Sequence, residues 1–162
     1  MTKTISIRNI EPGDNASLAK IVKDTLAEFG ANKPGTVYFD PTTNHLFELF
    51  QKKGSAYFVA ELDNKVVGGG GIYPTEGLPA DTCELVKMYL LPEARGVNLG
   101  RTLIEKCLAI AKEMGYKNVY LETMPELKQA LNVYAKFGFD YLKGPMGNSG
   151  HTGCSLWMIK SI

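Results

Sequence analysis

The feature that most constrains the fold is a strongly amphipathic helix standing between two strands. Leu99, Leu103, Ile104, Cys107, Leu108, Ala111 and Met114 recur at helical spacing, and Gly115 stands where a C-cap belongs. Ahead of it, Cys83 to Leu91 reads as a strand closed by Pro92, and behind it Val119 to Thr123 reads as another. Strand, helix and strand in that order predict a βαβ unit, around which the rest of the chain must be organised.

The flanking segments alternate in the same way. Thr4 to Ile10 suits a first strand, with Ile5, Ile7 and Ile10 as its apolar positions. Asp14 and Asn15 offer N-caps for a helix carrying Leu18, Ile21, Val22 and Leu26 and ending near Gly30. Ala31 to Pro41 is irregular and aromatic, and a short helix over Thr42 to Lys53 places Leu46, Phe47 and Phe50 on one side. Ser55 to Leu62 and Val66 to Tyr73 predict a hairpin through Asp63-Asn64-Lys65. Pro125 opens a helix bearing Leu127, Ala130, Leu131, Tyr134 and Phe137 before Gly138. Strands at Asp140 to Leu142 and Cys154 to Ile159 flank a last loop, Gly144 to Gly153. The order β-α-α-β-β-β-α-β-α-β-β is an α/β pattern with an antiparallel first half. No repeat or linker interrupts it, so residues 1–162 are expected to form one domain.

Composition removes several functions. Eighteen Lys plus Arg against seventeen Asp plus Glu leave a formal net charge of +1, which gives no global field for nucleic acid or an anionic membrane. No apolar run approaches the ~18 residues of a spanning helix, and Met1-Thr2-Lys3-Thr4 leads into no signal-type stretch, so a soluble, cytoplasmic protein is expected. Cys83, Cys107 and Cys154 are odd in number and lack metal-ligand spacing, which predicts buried, reduced thiols and no metal. These features leave room for a homodimer.

The most informative stretch is Leu91-Pro-Glu-Ala-Arg95-Gly96-Val97-Asn98-Leu99-Gly100-Arg101, which leads from strand to helix. Such a turn can aim successive backbone N–H groups at a phosphate, while the helix N-terminus adds partial positive charge. Gly96 and Gly100 allow close approach, Asn98 tolerates positive φ, and Arg95 and Arg101 add mobile charge. A tight turn needing glycine only for its geometry is the alternative. The stretch is neither a P-loop nor a dinucleotide fingerprint. Gly68 to Gly71 fails that fingerprint too and reads as a bulged or bent strand.

Arg95-x-x-Asn98-x-Gly100, with a strand before and an amphipathic helix after, resembles the acetyl-CoA signature (Gln/Arg)-x-x-Gly-x-(Gly/Ala) of the GNAT acetyltransferase superfamily. Tyr134-Ala-Lys-Phe-Gly138-Phe139 is similar to that family's tyrosine-containing helix end, with Ala130 at its small-residue position, and the order of elements corresponds from Ile5 to Ile159. Two departures stand out: Asn98 replaces the central glycine, which calls for an αL backbone there, and Leu127 stands where an asparagine is common. The resemblance implies a mixed, mostly antiparallel sheet of about seven strands, with helices on both faces and a splay between the fourth and fifth strands. It implies acetyl-CoA as co-substrate, its pantetheine arm meeting backbone groups of Met88, Tyr89 and Leu90 and its phosphates held by Arg95, Gly96, Val97, Asn98, Leu99, Gly100 and Arg101. It also implies an acceptor that presents a primary amine for direct attack; a non-catalytic acyl-CoA-binding module is the alternative.

Acetyl transfer to an amine needs a base, a stabilised oxyanion and a proton for the departing thiolate. An alkyl amine titrates near ~10.4, so a base must deprotonate it at neutral pH. Glu84, on the strand feeding the turn, is the leading candidate, against a plain ion-paired carboxylate. Glu122 ranks lower, because its period-2 partner Tyr120 suggests an outward or second face. A backbone N–H near Met88 to Leu90 can serve the oxyanion. Tyr134 matches the family's general acid, against simple packing. His151, in the Gly-rich loop, is a base or acceptor-orienting candidate, against a solvated loop histidine. His45 has no such context. The acceptor pocket is expected from Phe29 to Phe39 with Tyr38, from Tyr73 to Pro79, and from the His151 loop.

Overall fold

The computed structural model describes residues 3–162; Met1 and Thr2, where the reading of the N-terminus began, lie outside them. Its elements run β1 (Ile5–Asn9), α1 (Asn15–Glu28), α2 (Leu46–Leu49), β2 (Ala56–Leu62), β3 (Lys65–Tyr73), β4 (Thr82–Leu90), α3 (Leu99–Glu113), β5 (Asn118–Thr123), α4 (Lys128–Lys136), β6 (Asp140–Leu142) and β7 (Leu156–Ser161). The seven strands form one sheet in the order β1-β2-β3-β4-β5-β7-β6, antiparallel everywhere except at β4–β5. Helices cover both faces. Leu99, Leu103, Ile104, Cys107 and Ala111 of α3 pack with Tyr134 of α4 on one face, burying Leu85, Val119 and Leu121 of the sheet. On the other face, α1 packs Leu18 against Tyr57 and Val59, while its Val22 and Leu26 meet Tyr89.

Local chemistry accounts for the boundaries. Asp63 and Asn64 both take positive φ, 51° and 67°, so the β2–β3 hairpin closes on a two-residue turn of the kind that matches strand twist, rather than on three residues. Neither Asp14 nor Asn15 caps α1 with its side chain. The Asp14 carboxylate is taken by Arg8 and by the N–H of Glu11, and Asn15 Oδ1 accepts from the N–H of Phe47. The helix expected over Thr42 to Lys53 is broken into a 3₁₀ turn, Pro41–Asn44, and the short α2. Asp40 captures the N–H of Thr42, and His45 leaves helical geometry at φ −136°. The last helix begins at Lys128 rather than at Pro125, with Leu127 at its N-cap, and β7 begins at Leu156 rather than at Cys154. All three cysteines are buried free thiols, and burial pushes Cys83 and Cys154 up to about 12.

The glycine run of β3 marks a bulge. Gly69 pairs with Tyr89 and Gly71 with Val86, so Gly70 faces two residues, Lys87 and Met88. Lys87 takes the left-handed region at φ 53°, and Tyr57 Oη donates to its carbonyl oxygen at 2.8 Å. The run itself is a matter of space: a Cβ on Gly69 would sit 2.6 Å from both the Phe58 carbonyl oxygen and the Tyr57 ring, and one on Gly70 would collide with the Met88 side chain. Gly69→Ala is therefore expected to lose ~2–3 kcal/mol in urea unfolding. Gly144→Ala, whose Cβ meets nothing within 4 Å, is the control and should stay within ~0.5 kcal/mol of the parent.

Candidate active site

The parallel pair β4–β5 is short. Only Thr82–Asn118, Cys83–Val119 and Glu84–Tyr120 are in register, after which β4 runs on to Leu90 and β5 to Thr123 with no further pairing. The strands part, and the gap opens into a cavity of about 340 Å3. Met88, Tyr89 and Leu90 line it along β4, the turn supplies Arg95, Gly96, Asn98, Leu99, Gly100 and Arg101, and Glu84, Tyr134 and His151 lie at its inner end. Val97 is the exception among the expected turn residues. It is absent from the lining and packs against the α3 core instead, because the turn needs one apolar residue to anchor it.

The turn has the backbone its sequence called for. Gly96 has φ 79° and Asn98 has φ 61°, ψ 13°, so Asn98 adopts the αL conformation that its place in the signature requires. No side chain caps α3, and among the described residues the N–H groups of Leu99, Gly100 and Arg101 have no acceptor, which leaves donors at a positive helix end. Thr25 Oγ1 of α1 is buried without a hydrogen-bond partner, and Thr25 belongs to the cavity lining. Open donors and an orphaned hydroxyl fit a phosphate-bearing, amide-bearing ligand. Arg95 is not the mobile cation expected. Its guanidinium forks onto Glu28 at 2.7 and 3.0 Å, donates to the Leu90 carbonyl, and lies over the Phe29 ring, which ties the turn to α1. Arg101 is exposed and pairs with Glu105 on the next helical turn.

At the inner end the structure assembles more acid than the sequence suggested. Glu84 is 3% exposed, accepts from Thr75 Oγ1 at 2.6 Å, and is pushed up to about 7, chiefly by burial and further by the charge of Glu122. Glu122 does not face outward. In the parallel register Glu84 stands beside Tyr120, so period-2 alternation brings Glu122 onto the same buried face. Tyr120 Oη donates to Glu122 Oε2 at 2.6 Å, and Ser149 Oγ donates to its other oxygen. Ligand atoms of Glu84, Glu122 and His151 all lie within 4.8 Å of one another, a donor set able to hold an ammonium or a metal ion. The expectation of no metal rested on cysteine spacing and could not see this grouping.

His151 is no solvated loop residue. Its side chain is 11% exposed, and Nε2 lies 2.7 Å from Asp40 Oδ2. Burial alone would raise Asp40, but hydrogen bonds from His151 and Thr42 and the charge of Lys87 hold it well below the carboxylate range. An ionised carboxylate only accepts, so Nε2 carries the hydrogen. Asp40 was not singled out from the sequence; its place directly before Pro41-Thr42 is an N-cap signal at most. Tyr134 is buried, edge-on to Phe139 at 5.9 Å, and raised to about 12 by burial; among the described residues its hydroxyl has no hydrogen-bond partner. A second cavity, of about 330 Å3, reaches some of the same groups. It shares Glu84, Lys87 and His151 with the first and is lined by Asp40, Tyr73, Thr75 and Asn148. Of the segments expected to form the acceptor pocket, Tyr73, Thr75, Glu76 and the His151 loop line the second cavity and Phe29 lines the first, whereas Phe39 is 57% exposed and Tyr38 packs into the α1 cluster.

With this geometry in hand, comparison with known proteins decides the family. The sequence profile of the acetyltransferase (GNAT) family matches residues 19–139. The chain belongs to the GNAT acetyltransferase family. An uncharacterised Escherichia coli N-acetyltransferase, YjgM, is 39% identical over 158 residues, covering 96% of this chain and 94% of that one. Among solved structures, a GNAT-family acetyltransferase from Staphylococcus aureus superposes with a TM-score of 0.86 at 18% identity, over 98% of this chain and 99% of that one. The PaiA N-acetyltransferase of Thermoplasma acidophilum, solved with coenzyme A, gives 0.76 at 19% identity over 98% and 99%. The protein is thus an acetyl-CoA-dependent N-acetyltransferase with the GNAT fold. No helix among the described residues is long and apolar enough to cross a membrane.

The raised titration of Glu84 has a stability consequence. Its carboxyl titrates at about 7 in the fold against 4.5 as a free group, so its contribution is fully present below 4.5 and is lost as pH rises through about 7. Glu84→Gln cannot ionise and escapes that loss. By differential scanning calorimetry it is expected to melt ~2–4 °C above the parent at pH 8, with the gap closing towards pH 4.5.

Proposed function

We propose that this GNAT enzyme transfers an acetyl group from acetyl-CoA to the primary amine of a small acceptor, by direct attack in a ternary complex. One observation carries the reading: a buried carboxyl titrating near neutrality, Glu84, lines both the cleft between β4 and β5 and a second cavity with an otherwise largely different lining. Two cavities that share one proton acceptor suit a donor and a nucleophile that bind separately.

Each residue has a defined task. The α3 N–H groups of Leu99, Gly100 and Arg101 and the Asn98 turn bind the phosphates, and Arg95 holds that turn in place through Glu28. Backbone groups of Met88 to Leu90 that have no partner on β5 meet the amides of the pantetheine arm, the Leu90 carbonyl being held by Arg95. The co-substrate supplies a thioester, an acyl group activated towards amines. Glu84 takes the amine proton at its carboxylate, directly or through water, and its raised basicity matches it to that task at neutral pH. Thr75 keeps the carboxylate oriented through its hydroxyl. Glu122 and His151 line the amine's approach. Tyr134 Oη donates a proton to the departing sulfur, which its raised pKa of about 12 keeps available.

Isothermal titration calorimetry should detect acetyl-CoA binding, and a thiol reagent should report CoA release once a suitable amine is supplied. In the parent, kcat/KM is expected to rise with pH through about 7. Glu84→Gln should lose that limb and fall ~10²-fold, whereas Tyr134→Phe should lower kcat ~10-fold or more with acetyl-CoA affinity little changed. Absent acetyl-CoA binding, or full activity in both variants, would overturn the proposal.

A further inference from the structure

Glu84 lines the acceptor cavity, and a second buried ionisable group that lines it, Lys87, has no part in the chemistry above. Lys87 is brought there by the bulge. In β4, Cys83 and Leu85 pack on the α3 face while Glu84 and Val86 face α1, and strict alternation would send Lys87 to the α3 face. The extra residue reverses that order: Met88 and Leu90 now join the α3 cluster, Tyr89 turns towards α1, and Lys87 lies on the same face as Glu84. Its side chain is 3% exposed and lines both cavities.

That placement is costly in two ways. A lysine at φ 53° inside a strand is strained, and its buried ammonium has surrendered hydration. Only one of its three donors is used, towards Asp40 Oδ2 at 3.3 Å, a long contact to a carboxylate already engaged by His151 and Thr42. The side chain of Lys87 lines the second cavity together with Glu84, and the first together with Glu84 and Glu122. A buried ammonium with donors to spare beyond Asp40 and a buried carboxyl, three residues apart on one bulged strand, complement a ligand that carries a carboxylate and an ammonium a few bonds apart. Tyr73, Leu49 and Val86 supply an apolar wall beside them, and a cavity of about 330 Å3 limits the ligand to a small molecule.

We propose that the acceptor is a free amino acid or a similarly compact amino-carboxylate, with Lys87 binding its carboxylate while its amine lies against Glu84 and Glu122. The inference rests on the acetyl-transfer reading and adds Lys87 as its specificity-determining residue.

The test compares each L-amino acid with its own carboxamide and with the corresponding decarboxylated amine, at saturating acetyl-CoA, by CoA release. The carboxamide is close to isosteric and has the less basic amine, so chemistry alone favours it. At least one amino acid is expected to exceed its carboxamide by about tenfold or more in kcat/KM. Lys87→Gln should bring that ratio towards one mainly through a higher KM for the acid, and Lys87→Arg should restore part of it; acetyl-CoA affinity by calorimetry verifies that both variants are folded. Should neither fold, the acid-to-amide ratio of the parent still decides. Carboxamides or plain amines used as well as or better than every amino acid would overturn this inference and leave acetyl transfer intact, pointing to a peptide N-terminus or a simple amine. An unchanged ratio in a folded Lys87→Gln would also overturn it. Acetyl-CoA binding with no release across the whole panel would overturn the acetyl-transfer reading and this inference with it.

Discussion

One extra residue in β4 governs the architecture of the site. Antiparallel pairing with β3 has to accommodate Lys87 opposite Gly70, and the Tyr57 hydroxyl fastens the displaced carbonyl. Bulges bend the strand that carries them and strengthen its twist. Here β4 leaves β5 after three paired residues, and beyond Glu84 its backbone pairs with β3 alone. A cleft into the sheet, peptide groups along it with no partner on β5, and a lysine on the buried acid-lined face all follow from the same displacement. The glycine run on β3 is the other half of the device, since only residues without Cβ let Tyr57 and Met88 close over the bulge from opposite sides.

Around that opening the charges are organised by Asp40. It lies in the connection after α1, far in sequence from both partners, and it is shared between His151 and Lys87. With Asp40 ionised, His151 Nε2 donates to it and the ammonium of Lys87 is partly compensated. Glu84 is raised chiefly by its burial, with one hydroxyl donor from Thr75 and the neighbouring charge of Glu122, while Asp40 is held down by His151, Thr42 and Lys87. Two carboxyls of the same site are thus shifted in opposite directions by their surroundings. Arg95 does comparable work at the outer end. It is spent on Glu28 and Leu90, so the electropositive quality of the turn rests on open N–H groups and αL backbone more than on free side-chain charge.

The legible parts of the site were those in which one short segment contains its own physics. The Arg95–Arg101 turn was readable because glycine, asparagine and a following helix specify a backbone nest locally, and Asn98 took the αL geometry its position demanded. Tyr134 was readable from the helix end before Gly138, and Glu84 from its strand. The side chain of Val97 packs against the α3 core, a direction the sequence of the turn leaves open because it depends on which side the core lies. Glu122 was turned to the wrong face because alternation gives parity without an origin; the parallel register with Glu84 supplies that origin. Asp40 and the buried state of His151 were invisible, since each is defined by a partner about a hundred residues away.

Periodicity and punctuation alone determined the order of strands and helices, the βαβ unit, the hairpin and the phosphate-type turn, because those depend on interactions between residues close along the chain. Tertiary structure alone decided where β4 and β5 part, which face Lys87 and Glu122 occupy, and which carboxyl is raised towards neutrality. Those properties depend on register between strands and on the fields of groups brought together only by folding. A bulge changes parity without leaving a sequence signal beyond its glycines, and burial and charge shift a carboxyl only once the neighbours are in place.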